Sequence, residues 1–475
     1  MRVPGRTPAR DDRGMSDTAE RNGGGGREAE PRPEGVAGRD GTTAGRDRAG
    51  KLHGVDGEGA DAAAASGTGA PGGTLADGGT SPAGQPSADE RREQRFVRRT
   101  AAYRSARRVL ARPGFRGTLR ERLALLHETR SLDLYDPDEQ ADLYGGGIVE
   151  ALEEKTAALL GKEAAVFFPT GTMAQQVALR CWAGRTGNPA VALHALAHPE
   201  VHERHAFSQV SALRPVRVTS EPRQPTAEEV RDLDEPFGAL MLELPLRDAG
   251  FVLPTWRELT EVVEAARERD AVVHFDGARL WECTSHFDRG LAEIAALADS
   301  VYVSYYKSLD GFGGACLAGP RTLTDEARTW RHRYGGAVFQ QFPTVLSALA
   351  GLERELPRLP DYVAHARVVA AALREGFAAA GVPWSRVHPG PPHTNEFQVW
   401  LPYDADVLAE AAVRQAEETR ILLFGNAWDG KGPGLALTEV SVRAAGLEWT
   451  AEDVREAVGG FVAALDRVVA EAVGG

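Results

Sequence analysis

From about residue 145 onward, the chain alternates between segments of helical periodicity and short apolar runs, and this alternation restricts the possible folds more than any other feature. The helical segments include VEALEEKTAALLG, MAQQVALRCWA and WRELTEVVEAARERD, and the apolar runs include AAVFF, GALMLELP, AVVHFDGA and SVYVSYYK. Strands separated by helices of this length form a largely parallel sheet with helices on both faces. We therefore predict an α/β fold.

Composition divides the chain into four segments. Residues 1–90 consist mainly of Gly, Ala, Asp, Arg, Ser and Pro and cannot bury enough apolar surface to offset their chain entropy, so we predict a disordered, low-complexity tail. Residues 91–130 are predicted to form a basic helical arm that is interrupted at Pro113-Gly114. Residues 131–345 are predicted to form a large domain, and residues 346–475 a smaller C-terminal α/β domain.

The basic arm raises the question of nucleic-acid binding, because residues 91–122 carry 12 arginines against two glutamates in a chain with a formal net charge of −13. The arm has neither a helix-turn-helix pattern nor stacking aromatic residues between its arginines. A cationic helix can instead pair with an acidic protein surface. We expect the arm to pack on the acidic body of the protein or on a neighbouring subunit, and we expect no nucleic-acid partner.

Cysteine content and hydropathy bear on the cellular compartment. Cys181, Cys283 and Cys316 are odd in number, far apart and set in apolar surroundings, which favours buried free thiols over disulfides. The chain has no run of 18 apolar residues, and its N-terminus lacks the pattern of a signal peptide. We expect a cytoplasmic protein with no membrane partner.

One strand end carries residues suited to binding an anion. In an open parallel sheet, ligands bind at the C-terminal ends of the strands. Thr170-Gly171-Thr172 follows an apolar run and opens a helix, so its hydroxyls and backbone N–H groups suit a phosphate. A threonine N-cap before a helix is also ordinary structural usage.

Two further strand ends carry charged residues. Asp276 ends the run VVHFD and needs a cationic partner, which is either a ring nitrogen of a cofactor or, as a purely structural alternative, Arg279 or a helix N-terminus. Lys307 ends the run SVYVSYYK, where desolvation would favour the neutral amine that attacks a carbonyl, although most strand-end lysines are solvated. Taken with Thr170-Gly171-Thr172, these residues match the needs of pyridoxal phosphate: a phosphate anchor, a partner for the pyridine nitrogen and an attaching amine.

Longer motifs around these residues resemble a known family. The segments YGGGIVEALEEKTAALLGKEAAVFFPTGTMAQQVAL, HFDGARLWEC and YYKSLDGFGGACLAG are similar to those of the threonine aldolase and aromatic amino acid β-eliminating lyase family, and the similarity extends from about Tyr144 to Thr450. The resemblance implies the type I fold of pyridoxal-phosphate enzymes, which is that of aspartate aminotransferase. It also implies pyridoxal 5'-phosphate as cofactor, a small amino acid as substrate, and a homodimer or homotetramer.

The resemblance also accounts for part of the histidine-rich stretch HALAHPEVHERH. In the family, a histidine followed five residues later by a glutamate stacks on the cofactor ring, and His198 with Glu203 has this spacing. We expect His198 to stack there and to assist proton transfer. Neither an HExxH motif nor a further cluster of ligands is present, so we expect no metal site, and His194, His202 and His205 are expected to be structural or surface residues.

The resemblance assigns residues to the substrate as well. Arg279 and Arg443 match arginines that hold the substrate carboxylate, and bidentate guanidinium contacts suit that group. Tyr144, Glu243 and Arg247 are also assigned to the substrate side. The chain departs from the family where a histidine that faces the substrate hydroxyl is replaced by Leu246 or Arg247.

The chain departs from the family at three other positions. The early serine-aspartate-threonine segment has no counterpart before Tyr144, and Tyr306 replaces the serine that precedes the cofactor lysine. Phe339 replaces a phosphate-binding arginine that comes from the neighbouring subunit, for which Arg331 or Arg333 could compensate.

The resulting expectation is a lyase of the aldolase type. It would cleave the Cα–Cβ bond of a β-hydroxy-α-amino acid, by default L-threonine or L-allo-threonine, to glycine and an aldehyde, with Lys307, Asp276 and His198 as the catalytic residues. β-Elimination and amino-acid racemisation are alternatives with the same cofactor. A non-catalytic binding protein that uses the basic arm to recruit a partner is an alternative of another class.

Overall fold

The computed structural model describes residues 87–111, 118–128, 135–136 and 138–474. Its helices are α1 (Ala88–Ser105), α2 (Leu119–Glu128), α3 (Ile148–Leu159), α4 (Gly171–Thr186), α5 (His198–Val201), α6 (Ala206–Val210), α7 (Ala227–Arg231), α8 (Trp256–Arg267), α9 (Thr284–Phe287), α10 (Leu291–Ala295), α11 (Arg321–Arg333), α12 (Phe342–Arg354), α13 (Leu359–Ala379), α14 (Ala405–Thr419) and α15 (Ala451–Gly474). Its strands are β1 (Arg108–Val109), β2 (Ala164–Phe168), β3 (Ala190–Leu193), β4 (Arg214–Arg217), β5 (Ala239–Glu243), β6 (Val272–Gly277), β7 (Ser300–Ser304), β8 (Ala315–Gly319), β9 (Arg386–His388), β10 (Glu396–Leu401), β11 (Ile421–Leu422), β12 (Asp429–Gly432) and β13 (Leu435–Ser441).

A seven-stranded sheet in the order β2-β8-β7-β6-β5-β3-β4 forms the centre of the larger part of the molecule. Only β8 runs antiparallel to its neighbours, so the predicted α/β architecture with a largely parallel sheet is confirmed. Most of these strands are buried along their whole length. This burial is expected where helices cover both faces of a sheet.

A second, antiparallel sheet lies in the C-terminal part of the chain, with the strand order β12-β13-β10-β9. Helices α13, α14 and α15 contribute to the same hydrophobic core as this sheet. Its buried aromatic side chains are Phe377, Phe397, Phe424, Trp428, Trp449 and Phe461. Leu110 and Ala111, which follow the N-terminal helix, are buried in this core as well.

The N-terminal arm is held by an ion-pair group and by a short strand. Arg98 on α1 bonds to Glu410 and Glu417 of α14 at 3.0 and 2.8 Å. The sequence predicts helix up to the Pro113-Gly114 break, but the chain becomes extended at Ala106. It is extended because β1 pairs with β11, which satisfies backbone groups that a longer helix would bond internally.

Residues 1–86 of the predicted disordered tail lie outside the described residues. Helix α1 begins at Ala88, and Ser87 and Glu90 form a capping box at its N-terminus. Among the helices of the described ranges, none combines the length and apolar character needed to cross a bilayer.

Candidate active site

The residues singled out at the strand ends lie along one edge of the central sheet. Thr170 follows β2 by two residues, Glu243 ends β5, Asp276 is the second-last residue of β6, and Lys307 follows β7 by three residues. Glu243 and Asp276 are register partners on neighbouring parallel strands. Because β2, β5, β6 and β7 all run in the same direction, their carboxyl ends meet at this edge.

The turn from β2 into α4 presents the N-terminus of a long helix. Thr170 is the N-cap, and its Oγ1 accepts a hydrogen bond from the Met173 N–H at 3.2 Å. Gly171 is buried, and a Cβ at this position would collide with the hydroxyl of Tyr302, which comes from β7. Thr172 is exposed. The N-terminus of a helix with a close-packed glycine and an exposed hydroxyl suits a phosphate.

Asp276 is buried in the middle of the site. Its side chain is 2% exposed, and Oδ1 accepts a hydrogen bond from the Ala278 N–H at 3.1 Å. Burial raises the pKa of Asp276, while His198 and Lys307 act in the opposite direction. A cation placed against this carboxylate would favour its ionised form, which is what a protonated pyridine nitrogen does.

Lys307 and Arg443 meet at this edge of the sheet. Lys307 is half-buried, and its Nζ lies 5.8 Å from the centre of the Tyr306 ring. The Arg443 guanidinium, from the segment after β13, donates a hydrogen bond to the Lys307 carbonyl oxygen. This bond brings an arginine from the C-terminal part of the chain to the backbone of the lysine.

His198 begins the short helix α5 and is held from two sides. Its backbone N–H donates to Oε2 of Glu243 at 2.7 Å, and its Nδ1 lies 3.4 Å from Oε1 of Glu203. Oε1 of Glu243 also accepts from the Arg247 N–H at 3.2 Å. Burial and the nearby Asp276 raise the pKa of Glu243 to about 7. In this structure Glu243 therefore joins two backbone segments of the site.

Two of the arginines assigned to the substrate are ion-paired within the chain. Arg279 pairs with Glu396 of β10, and its guanidinium carbon lies 5.3 Å from the centre of the Phe251 ring. Arg247 pairs with Glu439 of β13 at 3.0 Å. Although burial would raise the pKa of Glu396, Arg279 and Ser441 hold it below its ordinary value. Glu396 could not be identified from the sequence, because nothing in its local pattern signals a partner 117 residues away.

Glu282 is a second carboxylate that the sequence analysis missed. It is 1% exposed, accepts a hydrogen bond from the Ser308 hydroxyl through Oε1, and its Oε2 has no hydrogen-bond partner within the described ranges. Burial and the neighbouring Glu396 raise the pKa of Glu282 to about 8, against the effect of Arg279 and Arg443. Glu282 lies in the motif HFDGARLWEC, but the motif does not indicate whether the Glu282 side chain is buried or exposed.

Tyr144 is exposed and contacts Phe339. It is 58% exposed, its ring centre lies 5.4 Å from that of Phe339, and its backbone N–H donates to the Phe339 carbonyl at 3.0 Å. Arg331 is buried and donates to the Phe167 carbonyl at 2.7 Å, and the Arg333 guanidinium lies over the Trp330 ring. Arg331 is therefore bonded to the end of β2, whereas Arg333 contacts Trp330 on its own helix.

The other histidines of the HALAHPEVHERH stretch occupy different environments. His194 is buried and bonds the Glu221 carbonyl through Nε2 and the Leu196 N–H through Nδ1. His205 is exposed with a φ of 62°. His202 bonds to Asp248 at 2.7 Å. In the part of the chain that the structure describes, no group of three or more His, Cys, Asp or Glu side chains is arranged to hold a metal ion.

Known proteins share this arrangement of sequence and fold. The family model for β-eliminating lyases matches residues 139–387. The low specificity L-threonine aldolase of Escherichia coli K12 is 32% identical over 245 residues, which cover 50% of this chain and 72% of that protein. The crystal structure of a candidate L-allo-threonine aldolase from Listeria monocytogenes has a TM-score of 0.70 at 33% identity and covers 77% of this chain and 99% of its own.

A second solved structure agrees with the first. The crystal structure of a candidate aromatic amino acid β-eliminating lyase/threonine aldolase from Exiguobacterium sp. has a TM-score of 0.69 at 34% identity, over 78% of this chain and 99% of its own. The family model covers more than half of the 475 residues, and the family predicted from the motifs is confirmed. The chain belongs to the β-eliminating lyase family, which comprises pyridoxal-phosphate-dependent lyases of fold type I.

Proposed function

We propose that this protein is an aldolase that cleaves the Cα–Cβ bond of a β-hydroxy-α-amino acid to glycine and an aldehyde, with L-threonine or L-allo-threonine as the default substrate. The observation that carries the proposal is the meeting of Asp276, Lys307 and His198 at the carboxyl edge of the sheet, beside the helix end at Thr170. The relatives named as threonine aldolases support the same reaction.

The residues present fit pyridoxal phosphate. Thr170, Gly171 and Thr172 would hold its phosphate at the N-terminus of α4, and the buried Asp276 would hold the pyridine nitrogen. Lys307 supplies the amine that attaches the cofactor, and His198 would cover the face of the ring. When bound, the cofactor supplies an electron sink for the pair left on Cα when a bond at that carbon breaks.

The substrate carboxylate would be held by Arg279 and Arg443. Both guanidinium groups lie close enough to the carboxyls of Glu282 and Glu396 to lower the pKa of each. Arg279 must share its guanidinium between Glu396 and an incoming carboxylate. A guanidinium has five N–H donors and can serve two carboxylates at once.

Product analysis tests the proposed reaction against the two alternatives with the same cofactor. The purified protein is incubated with L-threonine, L-allo-threonine, L-serine and an aromatic β-hydroxy amino acid, and the products are quantified by NMR. Glycine and an aldehyde in equal amounts are expected. Ammonia with a 2-oxo acid would identify a β-eliminating enzyme, and inversion at Cα would identify a racemase. The Lys307→Ala variant is the control and should form none of these products.

The proposal includes a homo-oligomer in the cytoplasm. Exposed apolar side chains are grouped around the segment that bonds to Tyr144, namely Leu143, Tyr144, Val338, Phe339 and Phe342. A second copy of the chain would cover these side chains and remove them from water. The three cysteines are buried free thiols, as a reducing compartment permits. Light scattering that gives a monomer with full activity would contradict the oligomer.

A further inference from the structure

His202 and Asp248 form a hydrogen-bonded pair that the proposed function does not yet use. His202 directly follows α5, four residues after His198, and the two ring centres lie 5.2 Å apart. Nε2 of His202 lies 2.7 Å from Oδ2 of Asp248. Both side chains are largely buried, with exposed fractions of 22% and 23%. A second imidazole is therefore held firmly beside the ring that is assigned to cover the cofactor.

Asp248 belongs to the loop in which the chain departs from its family. This loop follows β5, and the resemblance to the family implies that Leu246 or Arg247 takes the position of a histidine that faces the substrate hydroxyl. Leu246 is apolar and buried, and a guanidinium does not give up its proton, so neither residue can accept a proton. Arg247 and Arg279 lie close enough to act on each other electrostatically, which puts the loop at the border of the carboxylate-binding arginines.

The bond to Asp248 selects which nitrogen of the His202 ring carries the proton. Burial would raise the pKa of Asp248, but His202 and Arg247 hold it below its ordinary value, so the group is a carboxylate at neutral pH. A carboxylate only accepts hydrogen bonds, so Nε2 of His202 carries the proton that is shared with it. In the neutral ring, Nδ1 then keeps its lone pair and can accept a proton. No other hydrogen bond to this ring is found within the described ranges.

We propose that His202, oriented by Asp248, is the base that accepts the β-hydroxyl proton of the substrate and thereby replaces the histidine that the loop has lost. The inference rests on the proposed aldol cleavage. The proton moves from the β-hydroxyl to Nδ1 of His202 while the Cα–Cβ bond breaks and the Cβ–O bond becomes the aldehyde carbonyl. The electron pair of the broken bond stays with Cα, which is reprotonated to give glycine.

The pairing of His202 with Asp248 is compatible with the separate role assigned to His198. The Nδ1 atom of His198 faces Glu203, and its backbone is fixed by Glu243, so its ring is held for contact with the cofactor. Two histidines one helical turn apart thus take separate tasks. One covers the cofactor, and the other handles the substrate proton.

The test compares two reactions of the same holoenzyme. Aldol cleavage requires removal of the β-hydroxyl proton, whereas exchange of the glycine Cα proton with D₂O does not, because glycine has no hydroxyl. His202→Phe and His202→Gln are each expected to lower kcat for cleavage by about 10²-fold or more and to change glycine exchange by less than about threefold. The matched control is His205→Asn, an exposed position in the same segment whose positive φ asparagine tolerates. It should leave both reactions unchanged.

The Asp248→Asn variant tests the orientation of the ring without removing it. Its readout is the ¹⁵N NMR spectrum of histidine-labelled, cofactor-free protein, which distinguishes a proton on Nε2 from one on Nδ1. The wild type should show the Nε2–H form of His202, and Asp248→Asn should lose this preference and lower cleavage by about tenfold or more.

The outcomes separate the base assignment from the reaction assignment. Cleavage within about threefold of wild type in both His202 variants, or a parallel loss of cleavage and glycine exchange, would overturn the role of His202 while aldol cleavage stands. A wild type that exchanges the glycine proton but forms no glycine from any β-hydroxy amino acid would overturn the reaction itself, and the base with it. An Nδ1–H form of His202 in the wild type would also overturn the assignment, since that ring has no lone pair to offer at Nδ1.

Discussion

Replacement of Glu282 by glutamine should stabilise the protein at alkaline pH and much less at acidic pH. The pKa of Glu282 is raised from 4.5 to about 8 by burial and by Glu396. Between these values the folded chain keeps a proton that the unfolded chain has lost, so the stability of the wild type falls as pH rises through this window. The interval corresponds to about 5 kcal/mol at about 1.4 kcal/mol per pH unit. Glutamine cannot ionise and can still accept the Ser308 hydroxyl bond.

The assay is urea denaturation of the wild type and Glu282→Gln at pH 5.5 and pH 9. The variant should gain about 3 kcal/mol relative to the wild type between these two conditions, because most of the window lies between them. Glu264→Gln on α8, where the side chain is exposed, is the matched control and should show no such change. A stability difference between Glu282→Gln and the wild type that is the same at both pH values would refute the reasoning.

Three further predictions concern the site and the arm. Gly171→Ala should lower the free energy of unfolding by about 1–3 kcal/mol, because the added Cβ collides with the Tyr302 hydroxyl. Gly184→Ala in the same helix places its Cβ in open space and should leave the free energy of unfolding unchanged or raise it by up to about 1 kcal/mol. Urea denaturation compares the two variants, and equal effects would contradict the packing argument. Asp276→Asn should weaken pyridoxal phosphate binding by about 10-fold to 10²-fold in an absorbance titration, since a bond to a charged partner is lost, and unchanged affinity would remove Asp276 from the cofactor site. Arg98→Ala should cost less than about 1 kcal/mol in a thermal melt, because Arg98 is 46% exposed, and a larger loss would mean that the arm contributes more than its ion pairs.

The strand-end residues could be predicted from sequence because each follows an apolar run. Thr170, Asp276 and Lys307 come after β2, within β6 and after β7, and the common direction of these strands brings them to one edge. A parallel sheet therefore converts a pattern along the chain into a site in space.

The partners of the charged residues could not be predicted in the same way. Arg279 pairs with Glu396, Arg247 with Glu439 and His202 with Asp248, and in each case the partner lies on another element. Which carboxylate of β10 or β13 reaches which arginine depends on how the second sheet packs against the first. No local periodicity carries that information.

Three strands of the central sheet could not be predicted either, each for a physical reason. β3 is only four residues long, and β4 is an edge strand that contains Pro215 and two arginines, so neither gives a strong apolar signal. β8 runs ACLAG and follows a glycine-rich turn. The connection from β7 to β8 is too short to contain a crossover helix. This short connection is a sequence signal from which an antiparallel strand could be predicted.

Mapping the attachment site of the cofactor tests the central claim most directly. The chain has five lysines, Lys51, Lys155, Lys162, Lys307 and Lys431. The purified protein is saturated with pyridoxal phosphate, reduced with borohydride, digested and examined by mass spectrometry. The account predicts one pyridoxyl group per chain, on Lys307, and none in Lys307→Ala. A pyridoxyl group on another lysine, or no stable modification at all, would contradict the assignment of this edge of the sheet as the cofactor site.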